Sequence, residues 1–538
     1  MKKSIALTLL ALTSMAGYAQ NEYDALRYSQ TDIIGTARYM GMAGAFGALG
    51  GDASAIGINP AGLGVYRSYE ISIGTGLNIN TTKGKMDGIT SKETKTHVPL
   101  NNLSFICSIP TGKDKGVVNY NFGFTFNKLK DFHRKFSVNG AANTTSMTDY
   151  MAAMTNGLQA ADINPDNVNC ADLSVLGYKG KLISDATAND QWNGAIDDGE
   201  TVTPAHHIRE DGYINQWNRA IDDGETVTPA YDIREDGYIN EWNFAFGMNV
   251  SNKVYWGLSM GLRDIDYSYT SYYSEAFENN GDLLKRDQFE AKGVGFNFGL
   301  GIIVRPIDQI RIGAAVHTPT FFLSSNEDYG IEENWNSSIH TRMDRDYNYF
   351  LPSRNNSYEL NTPWRYNFSL AFILGHRGLL SLDYELTDFN SMSFDSDYDS
   401  HASYSYENDR IEKTLKASHS GRIGLEMNMY KGLYARLGYA FVTSPFEEPK
   451  KATKLQYNNT VYTNPEYIVD RWTNYYTAGF GYRYNGWFVD LAYMLRQNKS
   501  DFYAYNAEVN NVQLQGNPPS ARLNSLSNII ALTAGLKF

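Results

Sequence analysis

The last eleven residues read "NIIALTAGLKF" (528–538). Successive side chains of a strand point to opposite faces. One face therefore carries Ile530, Leu532, Ala534, Leu536 and Phe538, and the other Ile529, Ala531, Thr533, Gly535 and Lys537. The same scheme recurs upstream. "VVNYNFGFTFNK" sets Val118, Tyr120, Phe122, Phe124 and Phe126 against Asn119, Asn121, Gly123, Thr125 and Asn127. "EWNFAFGMNV", "VGFNFGLGIIV" and "TPWRYNFSLAFILG" repeat it at 241–250, 294–304 and 362–375. Segments of about ten residues with a dense aromatic face and a Gly/Asn/Ser/Thr face carry the signature of a transmembrane β-barrel, apolar outward and polar inward.

Composition agrees with that reading. Aromatic residues make up 14% of the 538-residue chain and glycine numbers 47, yet the mean hydropathy is −0.42. Alternation cancels hydropathy locally, so an aromatic-rich chain averages polar. No stretch approaches the ~20 consecutive apolar residues of a membrane helix. The first residues form an expected signal peptide, 1–19, with Lys2 and Lys3, an apolar run from Ile5 to Leu12, and Gly17-Tyr18-Ala19 before the cut. The two cysteines, Cys107 and Cys170, make no disulfide framework. A net charge of −12 argues against a nucleic-acid partner.

About fourteen alternating segments are predicted: 67–80, 99–110, 115–128, 241–250, 254–272, 287–304, 309–318, 362–374, 378–389, 414–428, 432–442, 472–484, 487–498 and 526–538. Their connections alternate short and long. Short ones include 251–253, 375–378 and Asn485-Gly486, the strongest two-residue hairpin signal. Long ones cover 81–98, 129–240, 273–286, 319–361, 390–413, 443–471 and 499–525. The longest, expected as an extracellular loop, holds a tandem repeat, 191–215 followed by 216–240. Its copies differ at Gly194/Arg219, His206/Tyr231 and His207/Asp232, and its acidic runs lack the spacing of a calcium loop. The expected organisation is a barrel over 67–538 behind a non-alternating segment, 20–66.

That segment is rich in Gly and Ala, and a fourteen-stranded lumen leaves room for it as a plug. Its stretch "RYMGMAGAFGALGGDASAIGINPAGLG" resembles the N-terminal hatch of the FadL/TodX/OMPP1 family of outer-membrane transporters. The resemblance rests on the Gly-Ala run, on Asp52-Ala53-Ser54-Ala55 and on Asn59-Pro60-Ala61, with "GAAVHTPTF" (313–321) and the terminal Phe538 in support. It implies a fourteen-stranded outer-membrane barrel of a Gram-negative bacterium, acting as a monomer among membrane lipids and lipopolysaccharide. It further implies passive uptake of hydrophobic small molecules, such as long-chain fatty acids or aromatics, past a shifting hatch and out sideways through the wall. On that resemblance Asn59, Pro60 and Ala61 hold the hatch, with Asp52. Gly41, Gly44, Gly47, Gly50 and Gly51 give it mobility. Anchoring alone is the competing role for the same residues.

Other chemistry is sparser. Alternation turns Arg311, Asp383, Glu385, Arg422, Glu426, Arg436 and Asp490 inward. They are expected either to hold the plug or, at Arg311 or Arg436, to meet a ligand carboxylate. Ser418 and Ser420 share a face that His419 does not, and no GxSxG elbow is present, so catalysis is not expected. Neither cofactor nor metal is expected. The alternative function is a receptor for haem or another surface ligand that works through the long loops, with His97, His133 and His340 as candidate iron ligands.

Overall fold

The computed structural model describes residues 21–538 apart from 144, 168–169, 186–191, 194–225, 279–280, 324–329, 343–345, 376, 397–403, 448–464, 507, 510–511 and 515–517. The expected signal peptide and most of the tandem repeat lie outside the described residues.

Fourteen antiparallel strands form the wall. They are β1 (Glu70–Met86), β2 (Leu100–Pro110), β3 (Val117–Asp131), β4 (Val227–Val250), β5 (Val254–Phe277), β6 (Gly281–Ile307) and β7 (Ile310–His317). The others are β8 (Arg365–Ile373), β9 (Gly378–Asp388), β10 (Ala417–Tyr430), β11 (Leu433–Thr443), β12 (Tyr467–Tyr484), β13 (Trp487–Tyr503) and β14 (Ser520–Lys537). Each pairs with the next, and β1 closes on β14 from Glu70↔Lys537 to Lys85↔Arg522. The terminal aromatic sits at this closure, with Phe538 stacked on Tyr69 at 5.5 Å and its carbonyl accepting the Tyr69 N–H.

Burial is inverted relative to a water-soluble protein. On β3 the polar Asn119, Asn121, Thr125 and Asn127 are buried while Tyr120 and Phe122 are exposed. On β5 and β6 the exposed residues include Leu258, Met260, Leu262, Val294, Phe298 and Leu300. A continuous apolar belt of this kind has lipid as its partner, since water-facing surfaces do not carry one. Aromatic side chains mark its edge on the short-turn side at Tyr430, Tyr484, Trp487 and Phe538. The chain is a transmembrane β-barrel. The short turns use left-handed backbone where needed, as at Asn485 (φ 48°) and Gly486 (φ 83°), the conformation of a type I′ hairpin.

The wall strands match the fourteen alternating segments, but several run much further outward than alternation indicates. β4, β5 and β6 have 24, 24 and 27 residues, more than twice the ~9–11 that a membrane crossing needs. The expected 273–286 loop is therefore only the tip between Phe277 and Gly281. The segment 129–240 is likewise not a single loop. It holds the end of β3, a strand Arg134–Asn139, helices α1 (Met147–Thr155) and α2 (Asp172–Lys179), and the outer half of β4. Within the second repeat copy, Val227, Tyr231 and Ile233 are buried, so that copy alternates for a core above the membrane. Met151 and Leu176 from the helices pack there with Tyr231, Tyr273, Phe502 and Leu523. Tyr231, the residue that replaces His206 of the first copy, lies against Tyr273 at 4.3 Å. Segment 319–361 also contains strands, and Ile331–Arg342 pairs with the outer half of β6. Both cysteines are free.

Candidate functional site

Residues 21–66 make hydrogen bonds to residues of many wall strands: Ala37 to Thr533 of β14, Arg38 to Glu426 of β10, Phe46 to Asp383 of β9, Asn59 to Ile302 of β6 and Leu63 to Asn121 of β3. A short helix, α3 (Glu22–Ser29), opens the segment, capped by Asn21. A second turn of helix, Ala37–Gly41, is capped by the Thr36 hydroxyl. Two 3-10 turns follow, Ala53–Gly57 capped by Asp52 and Pro60–Val65 capped by Asn59. These caps satisfy N–H groups that would otherwise be stranded at the ends of buried turns.

On the short-turn side the segment is fixed tightly. Arg38 grips Glu426 of β10 through Nε and Nη2, both at 2.9 Å. Arg436 of β11, opposite Glu426 in register, shares that carboxylate at 2.6 Å and reaches Asp490 of β13 at 2.6 Å. The Asp383 carboxylate accepts the backbone N–H groups of Phe46 (2.9 Å) and Gly47 (2.7 Å). Thr477 donates to the Gly41 carbonyl (3.0 Å), Arg311 to that of Leu49 (2.6 Å), and Asn121 to that of Leu63 (2.6 Å).

The Asn59-Pro60-Ala61 turn is the tightest point. Asn59 accepts the Ala61 N–H at 3.0 Å and donates to the Gly47 carbonyl at 2.7 Å. Its amide also reaches the wall carbonyls of Ile302 (3.2 Å) and Ala314 (3.4 Å). A Cβ on Gly301 would overlap Asn59, and one on Gly257 would overlap the Pro60 carbonyl, so the wall is thinned where the turn docks. Gly44, Gly50 and Gly51 take left-handed backbone (φ 73°, 62° and 68°). Gly50 and Gly62 meet Cα to Cα, with no room for a side chain at either. Asp52 accepts from the Thr36 hydroxyl (2.9 Å) and the Ser54 N–H (3.1 Å). Within the run Gly44, Gly47 and Gly50 have no room for a side chain, whereas Gly41 and Gly51 have only ordinary contacts.

Above this contact two cavities open. The first, ≈ 150 Å³, lies between α3 and the wall, with Leu26, Phe132, Ile233, Phe289, Trp335 and Phe502 among its apolar lining. Arg27, Lys130, Arg134 and Arg496 also face it. The second, ≈ 110 Å³, is nearer the plug and is lined by Ile33, Tyr39, Ile58, Leu129, Arg365 and Arg422, among others. Gln30, Asp32, Asp470, Arg496 and Asn498 border both.

The two arginines singled out for a ligand carboxylate line neither cavity. Arg436 is fully buried between Glu426 and Asp490, and Arg311 is engaged with Leu49. Of the cavity cations, Arg134 pairs with Glu235, Arg422 with Glu385 (3.2 Å) and Arg496 with Asp32 (3.1 Å). Lys130 donates to Gln30 (2.7 Å), and Arg365 has no ion pair among the described residues. Ser418 and Ser420 are buried inward whereas His419 faces out against the Tyr384 hydroxyl (2.7 Å), so they form no catalytic set.

His97 and His133, two of the three histidines named as candidate iron ligands, come together, but with Asp131 rather than His340. His97, Asp131 and His133 meet although 34 residues of sequence separate the first from the second. The Asp-x-His spacing was the only local sign of it.

No family model and no curated protein matches the sequence. Solved structures do match its fold. A FadL homologue from Pseudomonas aeruginosa aligns over 95% of this chain and 100% of its own, at 12% identity and a TM-score of 0.53. The Pseudomonas putida toluene transporter TodX aligns over 94% and 99%, at 10% identity and 0.46. The Ralstonia pickettii toluene transporter TbuX aligns over 95% and 100%, at 12% identity and 0.45. The first of these carries the conclusion: the chain has the fold of a FadL-type barrel.

Proposed function

We propose that this protein is a passive transporter of hydrophobic small molecules across the outer membrane of a Gram-negative bacterium, working as a monomer in contact with membrane lipid and lipopolysaccharide. The observation that carries the reading is a cavity of ≈ 150 Å³ beside the N-terminal segment, in which the apolar side chains of Leu26, Phe132, Phe289 and Phe502 stand among charged groups. A hydrophobic solute gains little from a water-filled pore and much from an apolar pocket. Cavities of about this size hold a single benzene ring. Small aromatics therefore fit the closed form, and a long acyl chain requires the plug to shift. For a fatty acid, Arg365, which faces the second cavity and makes no ion pair among the described residues, is the group assigned to the carboxylate, taking the role first considered for Arg311 and Arg436.

Lateral exit has a candidate position. The β2–β3 ladder runs from Pro110↔Asn119 only as far as Asn102↔Asn127. Above it the chain breaks at Val98-Pro99, with Val98 70% exposed at the lipid-facing surface. Hatch gating is assigned to the Asn59 turn and the Arg38–Glu426 clamp, which join plug to wall.

Native mass spectrometry of the detergent-extracted protein with added oleate tests the pocket. Bound oleate that is lost in Phe132→Glu, which places a charge among the apolar side chains of Leu26, Phe289 and Phe502, supports the reading. Binding that is indifferent to Phe132→Glu counts against it.

A further inference from the structure

We propose that His97, Asp131 and His133 form a site for one divalent transition-metal ion of the zinc class, and that the ion clasps the open seam of the wall. His97 Nε2 lies 2.7 Å from Asp131 Oδ2, and His133 Nδ1 lies 2.8 Å from Asp131 Oδ1. One ligand atom from each residue falls within 4.8 Å of the others. The two imidazoles stack at 3.9 Å with their planes 13° apart, so both are presented to the one carboxylate.

A second observation points to a missing ligand. Both ring nitrogens of His97 are cut off from solvent, yet neither makes a hydrogen bond of acceptable geometry. A buried Nδ1 with no partner and an Nε2 set against Asp131 outside hydrogen-bond geometry are costly, and a metal on Nε2 removes the cost at the one that faces Asp131. An outer layer is in place as well: Asn78 donates to Asp131 Oδ2 at 2.9 Å, and the His133 N–H to Oδ1 at 3.1 Å. Such contacts fix the orientation of ligating groups.

Two imidazoles and one carboxylate form a borderline N/O set. It suits zinc, cobalt or nickel rather than calcium or magnesium, which take oxygen ligands. Tetrahedral zinc at ~2.0–2.2 Å from each ligand spaces ligand atoms about 3.3 Å apart, so the cluster opens by about half an ångström on loading. Water completes the coordination.

The position gives the site its consequence. His97 ends the strand Ile89–His97, paired to β1 at Asn78, while Asp131 and His133 stand across the seam. Between 89–101 and 128–139 no backbone pairing exists among the described residues. Side chains alone cross it, as in Lys135–Glu93 (3.1 Å) and Asn139 to Ser91 (3.1 Å). A bound ion ties the two edges where the ladder does not.

The test uses the full-length protein in detergent, stripped with chelator and titrated with Zn²⁺ or Co²⁺ alone. One equivalent of Zn²⁺ at micromolar affinity or tighter is expected. Binding should weaken at least a hundredfold in His97→Ala and in His133→Ala and persist in His419→Ala, an outward-facing control. Heat-modified gel mobility verifies that each variant is folded. Independently of any variant, the wild-type Co²⁺ complex should show the intense visible bands of four- or five-coordinate cobalt. The weak spectrum of aqueous cobalt overturns the site, as does Zn²⁺ binding undiminished in folded His97→Ala. Zinc should also slow amide exchange in 97–101 and 128–133. Binding without that slowing overturns the clasp.

Discussion

The two halves of the lumen are built on opposite principles. Toward the short turns, plug and wall meet closely, with Gly313 against the Gly47 backbone, Gly257 against that of Pro60, Asn59 against the thinned wall at Gly301, and one carboxylate, Glu426, shared by two arginines. Toward the long loops the same N-terminal segment leaves cavities of ≈ 150 and ≈ 110 Å³, bordered by side chains. The wall repeats the contrast. β1 and β14 are paired over sixteen successive residues, while β2 and β3 are paired over nine and then part. Closure by close-packed backbone resists small perturbations, whereas a side-chain-lined cavity adapts to its occupant. The lower half is suited to sealing and the upper half to capture.

The contrast breaks most sharply at Glu426. Glu426→Ala strips Arg38 and Arg436 of their common buried partner, and losing one member of such a set costs about 3–5 kcal/mol. The plug should loosen, read as ion conductance in planar bilayers rising well above that of the wild type. Asn59→Ala removes a cap and a buried amide at a cost of about 1–3 kcal/mol. It should speed amide exchange in 59–65 while leaving β1 and β14 protected. In the upper half, Arg365→Gln should weaken binding of a fatty acid about tenfold, a loss of ~1.4 kcal/mol, consistent with one charge-assisted contact. A neutral aromatic should bind unchanged. The smallest effect belongs to the seam. Glu93→Gln removes a half-exposed partner of Lys135 and should cost under about 1 kcal/mol, visible as faster exchange confined to 132–139.

The membrane-embedded half was the legible one. Lipid on one face and a polar lumen on the other impose strict alternation, so "VVNYNFGFTFNK" and "NIIALTAGLKF" declare both strand and facing. Turn chemistry did the same for Asn485-Gly486. Above the membrane that constraint lapses. In β4, "VTPAYDIREDGYIN" buries Val227, Tyr231 and Ile233 beneath two helices, but its charges and its place in a repeat make it read as loop. Alternation also turned Arg436 inward correctly without revealing its neighbours. Glu426 lies across a hairpin, and Asp490 and Arg38 are distant in sequence. His97 and His133 were singled out as possible ligands, but Asp131 between them was not, because the three meet only across a seam between strands.

Uptake tests the central claim most directly. Labelled toluene, oleate and glucose are presented to cells that lack their own hydrophobic-compound transporter, with and without this protein. The account expects toluene or oleate to accumulate faster when it is present, in a saturable way, while glucose entry stays at background. Glucose entering as readily as the hydrophobic compounds, or no gain for either toluene or oleate, would contradict it.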